Sequence, residues 1–393
     1  MVERAYFDWN ATAPLRDEAR SAMVTALDLA GNASSVHAEG RAARRLVEDA
    51  RAQVAVLVGA EPRNVTFTSG ATEANTLALT PALDLNGRKA LRDRLYVSAV
   101  EHPSVRRGGR FPPEMVEQMP VDSDGVIDLH ALRSAVARAE HPLVSVMLAN
   151  NETGVIQPIR DIAEIVHASN GVLHVDAVQG PGRIDCAIGA LDADLISLSA
   201  HKLGGPQGVG ALICGGDIHI AKPVIRGGGQ ERGLRAGTEN VAGIAGFGVA
   251  CAAAAANWRS DAGRMTALRD RIEAAIRFTL PKAVIFGSNV PRLPNTTLFA
   301  DPGLKAETAL IAFDLNGIAL SSGSACSSGK VQASTVLAAM GVEPVLARGA
   351  LRISLGWNTS DAAVKNLLNA LTKVSSSLLM GHETSRLNPG LAA

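Results

Sequence analysis

Between Val65 and Ile213, short runs of β-branched and apolar residues alternate with stretches that carry apolar residues at helical spacing. No other feature restricts the fold as much. Near-continuous apolar runs describe strands buried on both faces, and helical stretches between them describe crossovers, so the alternation reads as a parallel sheet covered by helices on both sides. The runs are VTFT (65–68), RLYVSAV (94–100), LVSVMLA (143–149), VLHVDA (172–177), LISLSA (195–200) and VGALIC (209–214). Ile159 to Ser169, with Asp161 and Glu164 near its start, has the spacing of a crossover helix.

The pattern then changes. A long helix is expected from Val241 through the alanine run 252–256, and beyond Trp258 helical and strand signals mix less regularly. Pro291 and Pro294 adjoin an apolar run, and residues 321–329 are rich in Ser and Gly. A chain of 393 residues exceeds the usual size of a single core. The expected division is a large domain over 16–257 and a smaller α+β domain made of 1–15 together with 258–393. The stretch after Gly381 reads as a loose tail.

Open α/β sheets bind ligands beyond the carboxyl ends of their strands. Here those ends carry Ser69-Gly70-Ala71-Thr72-Glu73, then Glu101-His102, Asn150-Asn151-Glu152, Asp176 with Gln179, and Ala200-His201-Lys202. So many polar and reactive groups at one edge describe a site. Gly70 allows close backbone approach and the following amides open a helix, which suits a phosphate. Taken alone, the same residues also describe a plain helix cap. Ser199 and His201 at a nearby strand end add donors for an anion. A buried lysine beside a carboxylate, as Lys202 and Asp176 suggest, is either a structural ion pair or the equipment for a Schiff base with pyridoxal phosphate. In that second case Asp176 would hold the ring nitrogen protonated and His102 would stack on the ring.

Composition excludes more than it assigns. Lys plus Arg and Asp plus Glu both number 38, and only 3% of residues are aromatic, so neither a global basic field nor stacking platforms point to nucleic acid. Cys186, Cys214, Cys251 and Cys326 are scattered, with neither metal-ligand spacing nor a disulfide framework. No metal of its own is expected. The N-terminal segment MVERAYFDWN lacks an apolar signal core, and the apolar stretch from Val241 to Ala256 is short and broken by Gly, so no membrane role and a reducing, cytoplasmic setting are expected.

Cys326 stands alone among small residues in SSGSACSSGK (321–330), where a thiol is accessible and has nothing apolar to pack against. The segment is not a phosphate-binding P-loop. Gly323 to Gly329 encloses five residues instead of four, and Lys330 is followed by Val331 rather than Ser or Thr. The glycine run at 227–229 reads by itself as a turn or an interface loop.

Taken together, SLSAHK ending in Lys202, HVDAVQ (174–179), TSGATEAN (68–75), GGGQERGLRAGTEN (227–240) and SSGSACSSG around Cys326 resemble the cysteine desulfurases, class V pyridoxal-phosphate enzymes of the aminotransferase fold. The likeness runs from FDWNATAP (7–14) to ALRISLGW (350–357). The long cysteine loop resembles the branch that serves iron–sulfur cluster and nitrogen-fixation assembly. The resemblance implies an α/β aminotransferase-type fold, with a mainly parallel central sheet, helices on both faces and a smaller α+β C-terminal domain. It implies that Lys202 carries the cofactor, that Asp176 pairs with the ring nitrogen, that Gln179 bonds the ring oxygen and that His102 stacks and moves protons. Ala71, Thr72, Ser199 and His201 would hold the phosphate, with Thr238 reaching the phosphate of the other subunit of a homodimer. Asn151 would serve cofactor and substrate, and Arg352 the substrate carboxylate, which suits a guanidinium fork. Asn10 would line the substrate pocket. The implied reaction moves sulfur from L-cysteine to Cys326 as a persulfide and leaves L-alanine. The acceptor would be an iron–sulfur scaffold or a sulfur-relay protein, with Cys326 a transient cluster ligand there. A selenocysteine lyase or another class V enzyme is the alternative. Trp9 and Trp357 depart from the family pattern, which more often has Asn and a basic residue at those positions.

Overall fold

The computed structural model describes residues 4–85, 88–216, 218–322 and 334–387. Its centre is a seven-stranded sheet. In chain order the strands are β1 (Val65–Thr68), β2 (Arg94–Ser98), β3 (Val116–Met119), β4 (Pro142–Met147), β5 (Val172–Asp176), β6 (Leu195–Ser199) and β7 (Gly210–Cys214). Across the sheet they run β1-β7-β6-β5-β4-β2-β3. Every residue of β4, β5 and β6 is buried, as continuous apolar runs require when helices cover both faces.

The sheet is parallel except at β7, which runs antiparallel to both β6 and β1. Alternation alone implies no such reversal. The connection from Ser199 to Gly210 holds only the short helical turn Ala200–Lys202, closed by Ala200 N–H to Val209 O at 3.0 Å, and it has no crossover helix. Without a crossover, the returning strand must pair antiparallel. Gly210 then lies so close to the turn after β1 that a Cβ there would sit 2.6 Å from the Gly70 carbonyl carbon and 2.7 Å from its Cα.

The long helix runs unbroken from Val241 to Thr279 over 39 residues. It is apolar and long enough to cross a bilayer, against the reading of its first part as a short stretch. Its first half is instead packed within the protein: Ile244, Phe247, Ala250, Cys251 and Ala254 join the core under the large sheet. Met265, Leu268, Ile272 and Ile276, further along, join a second core with Phe299, Phe313, Leu351 and Leu367. The boundary expected at 257–258 therefore falls inside one helix that feeds both cores. Ala5 and Phe7 also belong to the second core, and Ala5–Tyr6 pairs in parallel with Ile318–Ala319.

That core covers a small antiparallel sheet of Val284–Ile285, Thr296–Ala300 and Leu351–Ser354. A further sheet joins Ala82–Leu85, Arg88–Leu91 and Ile218–Ile220. The stretch expected as a tail after Gly381 is helical as far as Leu387, at the end of a helix that begins at Asp361.

Gly210→Ala should lower stability by about 1–3 kcal/mol, the range for forcing a methyl against packed groups that cannot give. Urea unfolding should show a lower midpoint at unchanged slope, and an unchanged midpoint would mean that β7 and the Gly70 turn separate freely.

Candidate active site

β1 ends at Thr68, and Gly70 (φ 155°, ψ 176°) turns the chain into the helix Ala71–Ala78. That conformation belongs to glycine, and a Cβ at Gly70 would meet nothing within 4 Å. No side chain caps the helix, which leaves its first amides without an intrahelical partner or a side-chain cap. Gly210 pairs with Thr68 on one side and Ser199 on the other, which brings Ser199 laterally beside the turn that holds Ala71 and Thr72.

Asp176 closes β5 and is buried. Its Oδ2 accepts from Asn75 Nδ2 at 2.8 Å and its Oδ1 from the Val178 amide at 3.1 Å. Asn75 also donates to Ser104 Oγ at 2.9 Å, and its own Oδ1 is buried with no partner among the described residues. Glu101, fully buried after β2, accepts from the Met147 amide at 2.6 Å. Burial first, then the nearby Asp176, pushes the Glu101 carboxyl well above the ordinary carboxylate range, which favours its neutral form.

His102 is exposed and caps the short helix Pro103–Arg106. Its Nδ1 accepts from the Ser104 amide at 3.2 Å, so a neutral ring carries its proton on Nε2. Desolvation by the surrounding protein lowers the His102 pKa; Asp176 opposes this, and the Lys202 and Arg106 cations add to it.

Lys202 stands in the turn after β6. Its Nζ donates to the backbone oxygens of Asn10 at 2.6 Å and Ala11 at 2.8 Å. Burial, then the cations Arg352 and Arg183, bring its pKa from 10.5 down to about 8, against the pull of Asp8 and Asp176. The amine is therefore available as a neutral base or nucleophile near neutral pH. Burial, with the Lys202 charge next, takes His201 down to about 4, so His201 is a neutral ring, with Nδ1 3.1 Å from Thr12 Oγ1.

Gln179 Nε2 donates to the same Asn10 oxygen at 3.0 Å, while its Oε1 accepts from Arg183 at 2.5 Å. Arg352 is buried; it donates to the Asn151 carbonyl at 2.9 Å and to Asp8 Oδ1 at 2.6 Å. Its Nε has no partner among the described residues.

His102 thus lies within electrostatic reach of Asp176 and Lys202, and Lys202 within reach of Asp176 and Arg352, with Gln179 tied to Lys202 through Asn10. The Asn10 side chain is used elsewhere. Its Nδ2 donates to Asn151 O at 3.1 Å and to Thr296 Oγ1 at 2.9 Å, and its Oδ1 accepts from Asn295 at 3.1 Å. Only its backbone oxygen meets Lys202. Thr238 is exposed on the loop before the long helix. Cys326 lies outside the described residues.

Sequence reasoning missed Asn75, Asp8 and Arg183, each of which holds a site residue. Asn75 closes the TSGATEAN stretch and Asp8 lies in FDWNATAP, so both were in view. Nothing local to them said which distant group they would meet.

The Aminotransferase class-V family model matches residues 5–367. A cysteine desulfurase of Cereibacter sphaeroides is 41% identical over 379 residues, covering 95% of this chain and 96% of that one. "Cysteine desulfurase IscS 1" of Archaeoglobus fulgidus is 39% identical over 373 residues, 94% of this chain and 96% of that one. Among solved structures, the NifS-like protein from Rickettsia africae ESF-5 superposes with a TM-score of 0.86 at 35% identity, covering 95% of this chain and all of that one. The half-buried lysine, the strand-end carboxylate and the uncapped helix lie inside a likeness that spans nearly the whole chain, and the chain belongs to the class V aminotransferase family, in its cysteine desulfurase branch.

Proposed function

We propose that this protein is a cysteine desulfurase that uses pyridoxal phosphate to move sulfur from L-cysteine to Cys326, releasing L-alanine. The observation that carries the reading is the half-buried Lys202 amine, held near pKa 8 within electrostatic reach of Asp176, at the sheet edge where the Gly70 turn opens an uncapped helix. The residues present fit pyridoxal phosphate. Lys202 supplies the amine for its aldehyde and Asp176 a buried carboxylate for its ring nitrogen. The open cradle of Gly70, Ala71 and Thr72, with Ser199 and neutral His201, supplies donors for its phosphate. When bound, the cofactor supplies an electron sink for carbanion chemistry at the substrate.

The chain's own residues do the rest. Lys202 Nζ takes the α-proton of L-cysteine, and the Asn10 and Ala11 carbonyls, which already accept from it, hold the resulting ammonium. Arg352, kept in place by Asp8 and the Asn151 carbonyl, binds the substrate carboxylate. His102, with its proton on Nε2, would stack on the ring and pass protons at the leaving side. The Cys326 thiolate attacks the substrate sulfur: a sulfur–sulfur bond forms, the carbon–sulfur bond breaks with its electron pair left on the substrate's β-carbon, which takes up a proton on the way to alanine, and the persulfide goes to an iron–sulfur scaffold or sulfur-relay protein. We further propose a homodimer with Thr238 reaching the partner's phosphate, and a cytoplasmic setting, which fits the free thiols of Cys186, Cys214 and Cys251.

Cys326→Ala should still bind cofactor and L-cysteine, seen as a yellow protein whose spectrum shifts on adding substrate, while alanine and protein-bound persulfide both fall to background. Sulfide release at the wild-type rate under reductant would overturn the persulfide role. A preference for selenocysteine with little turnover of cysteine would favour the lyase alternative.

In apo-protein, acetylation of the Lys202 amine, followed by mass spectrometry of its peptide, should show a pH midpoint near 8. Reactivity rises with pH because only the neutral amine reacts. Arg352→Gln removes a cation that holds this pKa down, so the midpoint should move up. A wild-type midpoint at the ordinary lysine value of about 10.4 would refute the poised amine.

A further inference from the structure

The helix that opens at Gly70 carries a carboxylate in its first turn. Glu73 Oε2 accepts from the Ser69 amide at 2.7 Å. In the bare protein this suits the positive helix end. For a helix end that must receive a phosphate dianion, the same carboxylate is a like charge in the first turn. Its other oxygen, Oε1, accepts from Arg235 Nε at 3.2 Å, and the two side chains are only 11% and 25% exposed.

Arg235 is delivered by a loop that is bolted to the same strand and helix. Glu231 (φ 46°, ψ 41°) and Arg232 (φ 56°, ψ 31°) are successive non-glycine residues in the left-handed region, an unfavourable conformation that needs outside support. Glu231 receives that support from Arg51 through a buried fork, with Nη1 to Oε2 at 2.7 Å and Nη2 to Oε1 at 2.8 Å. Glu231 Oε2 also accepts from the Phe67 amide at 2.9 Å. The Val65 oxygen accepts from Arg51 at 2.9 Å and from Arg232 at 2.6 Å. Among the described residues β1 is an edge strand paired only with β7, so these side chains occupy the backbone groups that a further strand would use. The loop is thus fixed at the strand that runs into Gly70 and again, through Arg235, at the helix that starts there.

We propose that Arg235 is a positioning residue of the phosphate cradle: by neutralising Glu73 from behind, it lets the helix end at Gly70, Ala71 and Thr72 accept a doubly charged phosphate. This rests on the reading of that turn as the cofactor's phosphate site. Arg235 would not touch the cofactor, and its contribution would be specific to the phosphate rather than to the ring or the aldehyde.

The test compares pyridoxal phosphate with pyridoxal, which has the aldehyde and ring but no phosphate. Each is titrated into full-length apo-protein, with dissociation constants read from the absorbance of the Lys202 adduct. Arg235→Gln should weaken pyridoxal phosphate by about tenfold or more, the scale of one uncompensated like charge at a partly buried site, and leave pyridoxal unchanged. Arg235→Lys should keep most of the affinity. Adding Glu73→Gln to Arg235→Gln should restore it, since the repelling charge is then gone. Equal weakening of both ligands would make Arg235 a merely structural residue, and that result, an unchanged constant in Arg235→Gln, or failure of the double variant to recover would each overturn the proposal. If the wild-type protein itself binds pyridoxal phosphate no more tightly than pyridoxal, the phosphate-site reading fails first, and this is visible before any variant is examined.

Discussion

The partial burial of one amine, that of Lys202, is the constraint around which the rest of the site is arranged. An ammonium withdrawn from water needs compensation by carbonyls or carboxylates, or it loses its proton. Here both responses are present in part: two backbone oxygens accept from Nζ, and the pKa still drops to about 8. Those oxygens belong to Asn10 and Ala11, so the N-terminal segment has to cross the turn after β6. It is fastened there by Ala13 N–H to His201 O and Arg16 N–H to Gly204 O, both at 2.9 Å. The Asn10 side chain then has no freedom to serve as a ligand, because its network with Asn151, Thr296 and Asn295 is what places its carbonyl.

The same segment connects the two cores. Phe7 is buried in the second core, Asp8 pairs with Arg352, and Asn10 meets Lys202 two residues later. Arg352 lies on Leu351–Ser354, a strand of the second core, while Lys202 lies at the edge of the large sheet. The cations that lower the amine's pKa therefore arrive from different parts of the fold, Arg352 across the core boundary and Arg183 from beside Gln179. The helix Val241–Thr279 is what fixes that relation, since its two halves are buried in different cores.

What was legible in the chain follows from how local each signal is. The continuous runs at 65–68, 143–149, 172–177 and 195–200 mark strands that are found in the large sheet, because burial on both faces leaves no room for polar alternation. Val116–Met119, half exposed at the sheet edge and carrying Glu117 and Gln118, has no such run and went unread. The reversal at β7 was equally hidden, since strand direction depends on the length of a connection rather than on the strand's own residues. At the site, residues that do chemistry announced themselves by type and position at strand ends. The groups that hold them did not. Asn75 is an ordinary helix residue until Asp176 is folded against it, and Asp8 reads as a turn residue until Arg352 arrives from far along the chain.

Trp9 and Trp357, far apart in the chain, form one packing unit. Their rings meet edge to face with centroids 4.7 Å apart, and the Arg16 guanidinium lies 3.7 Å over the Trp357 ring. Both rings line a small cavity together with Arg16, Arg183 and Lys202. The neighbours are shaped to admit them: a Cβ at Gly356 would lie 2.0 Å from Trp9, and one at Gly204 would lie 2.3 Å from Trp357. A basic side chain at position 357 would place another cation among Arg16, Arg183 and Lys202, and its field would press on the amine. An aromatic ring there converts the contact with Arg16 into attraction between a cation and a π face, and adds no charge. In this chain the electrostatic lowering of the Lys202 pKa is accordingly left to Arg352 and Arg183, which add to the effect of burial, while the tryptophan pair holds the segment whose carbonyls receive the proton-bearing nitrogen.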